Sequence, residues 1–511
     1  MATYFLNCSE NIENFNLCIS HSIAGFTNSG YNIGDLIYLI VKENGKWKLG
    51  ARGKLLEATT DKPWPDAGSY SSAFKVNWEL CEKTDITEGL RKIYEPNFGL
   101  AIQGKKDIDT FKNKGSELTS FFNQFFANSL KVSNETKLNM KDLINHVHNY
   151  ITNLGFQYQF EEVANFYLAL RAKPFVILAG ISGTGKTQLS RKFAAALGFS
   201  KEQVIQLPVR PDWTDSSDLL GYTSLDGNFI PKDLTLAIQK ATANPDKPYF
   251  FILDEMNLAR VEHYFSDYLS VIETRERVGK EIKTDPILRE EILKTAKNKN
   301  DFKEMGLPQN LYMIGTVNMD ETTHAFSKKV LDRANSIEMN EVDLNWIRSN
   351  GNSTEKLNNI SNEIFKTVYL TSKELNDANK ESISEEMSLL QAINKILEKA
   401  DLHFAYRVRD EIAFYLIINK SYNLIDNNIA FDFQVVQKIL PRIHGSSERV
   451  QTVLVELLNL FEGKDFRSSN FEFSKLIEKI DMGNLKHKRA SKKIIFMLKR
   501  FDDDRFTSFW L

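Results

Sequence analysis

A chain of 511 residues, 42% hydrophobic and 26% charged with a formal net charge of −2, has the composition of a folded protein of roughly three domains. This excludes a disordered chain and a globally basic nucleic-acid coat, while leaving room for a local basic groove. No apolar run is long enough to cross a membrane and the opening MATYFLNCSEN lacks an export pattern, so a cytoplasmic protein with no membrane attachment is expected; Cys8, Cys18 and Cys81 have neither the number nor the spacing of a disulfide framework or a zinc site.

Residues 1–112 alternate in the β manner, in DLIYLIV (35–41), KWKLGARGKLLEA (46–58) and FKVNWELC (74–81), with turn formers between them. A small, strongly curved β domain is predicted. Five large rings, Trp47, Trp64, Tyr70, Phe74 and Trp78, fall close together, and Trp64 lies between two prolines in what reads as a rigid loop. Two readings stand. The rings fill a small barrel, as expected for Trp47 and Trp78, or Trp64 and Tyr70, with Phe74 and Trp78 beside them, form a pocket that stacks a planar base at ~1–3 kcal/mol per ring. The order YFLNC, GDLIYLIV, GARGKLLEA, PWPDAGSY resembles the EVE and YTH-type domains of the PUA-like group. That resemblance implies a small β-barrel holding a modified or flipped base in an aromatic cage.

Residues 113–165 turn helical in spacing and read as a connector packed on the domain C-terminal to it. His146 and His148 lie two apart, on different faces of a helix, which argues against a metal pair.

The stretch KPFVILAGISGTGKTQL (173–189) reads as apolar strand, glycine-rich turn and helix start, and fits G-x-x-x-x-G-K-[ST] at every fixed position. This is a P-loop. Gly180, Ser182, Gly183, Thr184 and Gly185 supply a curled backbone whose N–H groups converge on phosphate. Lys186 is expected to reach the β and γ phosphates, and the Thr187 hydroxyl to ligand Mg²⁺. The apolar run Tyr249 to Leu253 reads as a strand buried on both faces and ends in Asp254-Glu255, roughly 70 residues after the P-loop. Asp254 is expected to hold Mg²⁺ and Glu255 to orient and deprotonate the attacking water. A further strand, LYMIGTVN (311–318), delivers Asn318 at its tip as a sensor residue, although asparagine at a strand end is also a turn former.

Between these strands EIKTDPILREEILKTAKNKNDFKEMG (281–306) is lysine-rich without a clean apolar face, either a solvated insertion or a loop that touches DNA. Arg333 follows Asp332 just before a fifth apolar strand, where an arginine can reach the γ-phosphate bound by a neighbouring subunit; the alternative is an ion pair with Asp332 or Glu338. Residues 343–511 are helical in pattern. Arg407 and Arg409 open an amphipathic helix, Pro441 stops another, and the basic tail ends in Phe506, Phe509 and Trp510, read as an aromatic clasp.

The order of P-loop, Asp-Glu, sensor asparagine and arginine resembles an AAA+ module, an α/β domain with a parallel sheet (166–342) followed by a helical lid (343–511). Within it GISGTGKT, LDEMNLARVEHYFSDYLS, GTVNMDETTHAFSKKVLDRA, YRVRDEI and QKILPRIHGS are similar to the McrB group, motor subunits of modification-dependent restriction systems. The resemblance implies a hexameric ring that hydrolyses GTP or ATP with Mg²⁺, recognises modified DNA and drives a separate McrC-like nuclease in anti-phage defence. It also implies Arg333 as the trans finger and Arg407 as a second sensor. Where relatives carry M-N-T-A-D, this chain has Val317-Asn318-Met319-Asp320-Glu321, which leaves GTP or ATP open. The rival expectation is a MoxR-like protein-remodelling ATPase.

Overall fold

The computed structural model describes residues 3–8, 11–26, 31–88, 106–107, 121–122, 139–279, 281–319, 324, 326–341, 355–357, 360–463 and 485–510. They fall into two compact units, Met1–Leu138 and Asn139–Leu511. Of the expected boundaries, those at 112 and 342 lie outside the described residues, whereas 165 falls within the helix Phe160–Ala172.

The first unit is a six-stranded sheet of β1 (Thr3–Asn7), β2 (Ile23–Phe26), β3 (Leu36–Glu43), β4 (Lys46–Thr59), β5 (Ser72–Asp85) and β6 (Lys106–Asp107), ordered β2-β5-β4-β3-β1-β6. Among the described residues only β1 and β3 pair in parallel; every other pairing in this sheet is antiparallel. Register shifts where β4 pairs with β3 and with β5 are bulges that add curvature, giving an antiparallel half-barrel compatible with a small barrel. Phe15 and Cys18 of the helix Ile12–Ser20 close its inner face with Ile37, Leu39, Val76 and Trp78. One ring departs from expectation, and one of the two left open is buried. Trp47 sits at the β3–β4 hairpin end opposite Lys42 and is only half-buried, so it is not a core ring. Trp64 is 3% exposed, because its loop folds back over β2. The absence of a side chain at Gly25 makes room for it: a Cβ there would lie 2.6 Å from the Trp64 ring.

The second unit is built on a five-stranded, wholly parallel sheet of β7 (Phe175–Gly180), β8 (Val204–Pro208), β11 (Tyr249–Asp254), β14 (Leu311–Asn318) and β15 (Asn335–Glu338), ordered β15-β7-β14-β11-β8. Two hairpins, β9 (Gly221–Thr223) with β10 (Phe229–Pro231) and β12 (Glu276–Val278) with β13 (Glu281–Lys283), are set off from it. Successive side chains of a strand point to opposite faces, so Val176 and Leu178 join one apolar layer and Phe175, Ile177 and Ala179 the other. The first layer takes in the helices Met140–Asn153 and Phe160–Ala172 and continues into the C-terminal helices. The second packs the helix Asp233–Ala243 and the segment after Asp254.

That second layer also corrects the reading of 281–306. Ile287, Leu288, Leu293, Ala296 and Phe302 are buried in it, so the insertion has an apolar underside, fixed by Asn298, which bonds to both backbone groups of Phe229. The apolar residues are spaced for short turns, not for one helix, which hid the face. In the C-terminal region the helix Asn427–Gln434 widens into a π turn over Val435–Ile439 before Leu440-Pro441-Arg442. Pro441 lacks the N–H that an α-helix would need there. The tail helix Lys488–Asp504 ends in a clasp in which Phe509 is fully buried and Lys493 lies over its ring, but Phe506 is 45% exposed and takes no part. Among the described residues no helix is long and apolar enough to cross a membrane.

Candidate nucleotide site

The turn from β7 into the helix Lys186–Ala196 brings the glycine-rich residues to the carboxyl ends of the central strands. Gly183 (φ +88°) and Gly185 (φ +84°) hold left-handed backbone, where side chains are strained. Gly185 is also crowded: a Cβ would lie 2.4 Å from the Tyr158 hydroxyl, which donates to the Gly185 carbonyl at 2.8 Å. Burial pushes the Tyr158 phenol up, keeping it a neutral donor. On the other side of the loop the Ile181 N–H donates to Asn340 Oδ1 at 2.9 Å. Lys186 is buried, and its Nζ donates to the Gly180 and Ile181 carbonyls at 3.0 and 2.7 Å. Ser182 is exposed, and the Thr184 hydroxyl donates to the Ile181 carbonyl.

Opposite the loop, β11 and β14 deliver the polar residues. Thr187 Oγ1 donates to Asp254 Oδ1 at 2.8 Å, and Thr316 Oγ1 donates to the same oxygen at 2.6 Å. Gln206 Nε2 holds Asp254 Oδ2 at 2.9 Å. Asn318 Nδ2 donates to Glu255 Oε1 at 3.0 Å, and Asn257 Nδ2 anchors the Asn318 carbonyl at 2.9 Å. Glu255 itself stands in the left-handed region (φ +53°, ψ 51°), a conformation that costs a non-glycine residue about 1–3 kcal/mol and gathers at functional sites. Its carboxylate is exposed, while its N–H is tied to Thr316 Oγ1 at 3.1 Å. Thus Thr187, Asp254, Glu255 and Asn318 come together. The oxygen donors Thr187 and Asp254 suit a hard cation such as Mg²⁺. Gln206, Thr316, Asn257, Tyr158 and Asn340 were not singled out by the sequence. The faint signals were a polar residue inside each apolar strand, Gln206 in VIQLP and Thr316 in LYMIGTVN.

The two arginines lie elsewhere. Arg333 pairs with neither Asp332 nor Glu338: Asp332 is taken by Arg442 at 3.1 Å and Glu338 by Lys493 at 2.5 Å. Its partner is Glu273, with Nε 3.3 Å from Oε1 and Nη2 3.3 Å from Oε2. Arg407 meets the same carboxylate, Nη2 to Oε2 at 2.5 Å.

Beside the P-loop a cavity of about 360 Å³ is lined by Ile181, Leu189 and Met339 together with Phe433, Gln437 and Phe496 from the C-terminal region. Asn165 at its wall is fully buried; its Oδ1 accepts from Tyr415 and Gln437, and its Nδ2 has no partner among the described residues. In the N-terminal unit Trp64, Phe74 and Trp78 are buried. Trp78 Nε1 donates to the Cys18 carbonyl at 2.9 Å, a core contact. Tyr70 is half-buried against Trp64, ring centroids 4.6 Å apart, and its hydroxyl accepts from Asn14 Nδ2 at 2.9 Å.

Residues 175–334 match the AAA domain family (dynein-related subfamily), and residues 351–506 match a domain of unknown function, DUF8727. Over 168 residues the chain is 28% identical to the type IV methyl-directed restriction enzyme EcoKMcrB subunit of Escherichia coli K12, spanning 32% of this chain and 34% of that protein. Among solved structures it is similar to a candidate ATPase of Cytophaga hutchinsonii (17% identity, 73% of this chain and 98% of that one, TM-score 0.32). It is also similar to Hsp104 in its closed state with ATPγS and casein (16% identity, 44% and 40% covered, TM-score 0.28). Residues 175–334 therefore carry an AAA+ nucleoside triphosphatase domain, followed by a helical C-terminal region.

Proposed function

We propose that the chain is a ring-forming AAA+ motor that hydrolyses GTP or ATP, recognises modified DNA through its N-terminal unit and drives a separate McrC-like nuclease. The observation that carries the chemical part is the joining of Asp254, Glu255, Asn318 and Thr187 by hydrogen bonds at the ends of three central strands. In this reading residues 166–342 are the motor, 343–511 the lid and the helices beyond it, 113–165 a connector and 1–112 the reader.

The backbone from Gly180 to Gly185 and the Lys186 ammonium bind the phosphates. Lys186 exchanges two carbonyl partners for phosphate oxygens, a stronger, charge-assisted contact. Thr187 and Asp254 would hold Mg²⁺, which when bound neutralises charge on the β and γ phosphates. Glu255 takes the proton of the attacking water, and Asn318 fixes the carboxylate that does so. Arg333 of one copy stabilises the γ-phosphate held by the next, a contribution of roughly 10³ to 10⁵ in rate where such fingers act. In this reading the nucleobase enters the cavity beside Ile181.

The restriction role is supported by the similarity to the E. coli restriction subunit, and only over about a third of the chain. A MoxR-like protein-remodelling role is the second reading, favoured by the burial of Trp64, Phe74 and Trp78. Hydrolysis of GTP and of ATP measured with plain duplex, methylated duplex and an unfolded client protein separates the two. Stimulation by methylated duplex is expected, with Lys186→Ala losing nucleotide binding and Glu255→Gln binding without turnover. Stimulation by the client protein alone would move the assignment to remodelling. Unchanged turnover in Glu255→Gln would remove the catalytic one.

A further inference from the structure

Glu273 is the middle residue of the turn Ile272–Thr274, downstream of the strand that delivers Asp254 and Glu255, and no motif includes it. It is nonetheless the carboxylate on which two separated cations meet: Arg333 from the segment before β15 and Arg407 from the start of the helix Tyr406–Tyr422. Two guanidinium groups on one carboxylate leave an excess positive charge at this spot. The other acids nearby are engaged elsewhere, Asp332 with Arg442, Glu338 with Lys493 and Asp410 with Arg409.

The two contacts are unequal. Arg407 approaches to 2.5 Å, whereas both Arg333 contacts are 3.3 Å long and its buried Nε finds no well-aligned acceptor among the described residues. A further bond on Arg333, from Nη1 to the Lys329 carbonyl at 2.8 Å, is local, made to a residue four positions earlier in the chain. A cation so loosely held next to a surplus of positive charge leaves readily for a stronger anion. The γ-phosphate of a nucleoside triphosphate is such an anion, offering more charge and three acceptor oxygens.

We propose that Glu273 is a positioning residue: it parks Arg333 and Arg407 together in the separate chain and releases Arg333 to the triphosphate held by an adjacent copy. This rests on the reading of Arg333 as a finger acting between copies. Assembly on nucleotide then has to break the Glu273 pairs, so the carboxylate sets the protein concentration at which hydrolysis switches on. It also sharpens discrimination between triphosphate and diphosphate, because only the γ-phosphate outbids it.

The test uses the full chain and follows the hydrolysis rate per subunit against protein concentration, with ATP and GTP. Glu273→Gln keeps the shape and removes the charge, and is expected to lower the half-maximal concentration by about two- to fivefold, the worth of partly exposed ion pairs, with a smaller change in the saturated rate. In an Arg333→Ala background, where assembly with ATP followed by sedimentation replaces the lost hydrolysis signal, the same substitution is expected to shift nothing. A half-maximal concentration that stays put or rises in Glu273→Gln, or that falls equally in both backgrounds, overturns the proposal. Should Glu273→Gln not fold, Glu273→Asp, whose carboxylate is drawn back by one methylene, must shift the concentration in the same direction; no shift overturns the proposal equally. Failure of the underlying reading looks different: Arg333→Ala alone would then turn over at the wild-type rate.

Discussion

Thr316 carries more of the candidate site than its place in an apolar strand suggests. Its hydroxyl donates to Asp254 Oδ1 at 2.6 Å and accepts the Glu255 N–H at 3.1 Å, so one side chain both orients the metal-facing carboxylate and holds Glu255 in its left-handed backbone. Thr316→Val keeps the shape and removes both bonds. Because a hydrogen bond to a charged group is worth about 1.5–3 kcal/mol, single-turnover hydrolysis should fall by roughly ten- to a hundredfold while triphosphate affinity stays near wild type. Equal losses in affinity and rate would show that Thr316 supports the fold and not the reacting geometry. The contrast with Lys186 explains what could be read in advance. The P-loop residues are contiguous, so their spacing alone declares them. Thr316 meets Asp254 across 62 positions, Gln206 across 48 and Ile181 meets Asn340 across 159. Such pairs exist only once the strand order is known.

At the scale of elements, the parallel sheet is joined to the helical region by a buried ionic knot. Glu411, on the helix Tyr406–Tyr422, bonds to Lys173 at the foot of β7 and, at 2.5 Å, to Lys438 in the π turn. Lys438 Nζ also donates to the Ala334 carbonyl at 2.6 Å, one residue after Arg333. Burial alone would raise the Glu411 carboxyl, but Lys173 and Lys438 hold it down at about 2 against an ordinary value of 4.5. Burial pulls Lys173 down to about 8, although Glu411 beside it opposes this. The depressed carboxyl stabilises the fold fully above about pH 4.5, and that contribution is lost as pH falls toward 2. Lys173 binds fewer protons folded than unfolded from about pH 8 to 10.5, so its share of stability rises with pH across that window. Glu411→Gln leaves two buried ammonium groups without a counter-charge and should destabilise the second unit by ~3–5 kcal/mol in urea unfolding. A loss under about 1 kcal/mol, the range of exposed pairs, would mean that water reaches the knot. Helical spacing announced the helix but not this role, since an acid at position 411 of YRVRDEI reads as an exposed residue until its two lysines arrive from elsewhere.

For the whole molecule the division into layers was legible and the fate of single rings was not. Continuous apolar runs declared the central strands of the second unit, and alternation declared the sheet of the first, because both patterns reflect which faces meet the core. Trp47 is half-buried and Trp64 buried because burial depends on where a loop lands: the Trp64 loop returns over Gly25, and the Trp47 hairpin ends beyond the core. Stability is affected accordingly. Truncating a buried aromatic costs about 3–5 kcal/mol, so Trp64→Ala should unfold the unit Met1–Leu138, whereas half-buried Trp47→Ala should cost about 1 kcal/mol. Because a Trp64→Ala loss of DNA preference would then report unfolding, Tyr70→Phe is the better probe of base reading. It removes a half-buried hydroxyl that Asn14 Nδ2 contacts at 2.9 Å but keeps the ring against Trp64. Thermal unfolding of the full chain, with hydrolysis assayed in parallel, should show Trp64→Ala losing the first unit's transition while the nucleotide site keeps turning over, and Tyr70→Phe retaining both. If Tyr70→Phe also keeps any preference of the wild-type chain for methylated over plain duplex, the hydroxyl plays no part in reading; unaltered melting in Trp64→Ala would place that ring outside the core.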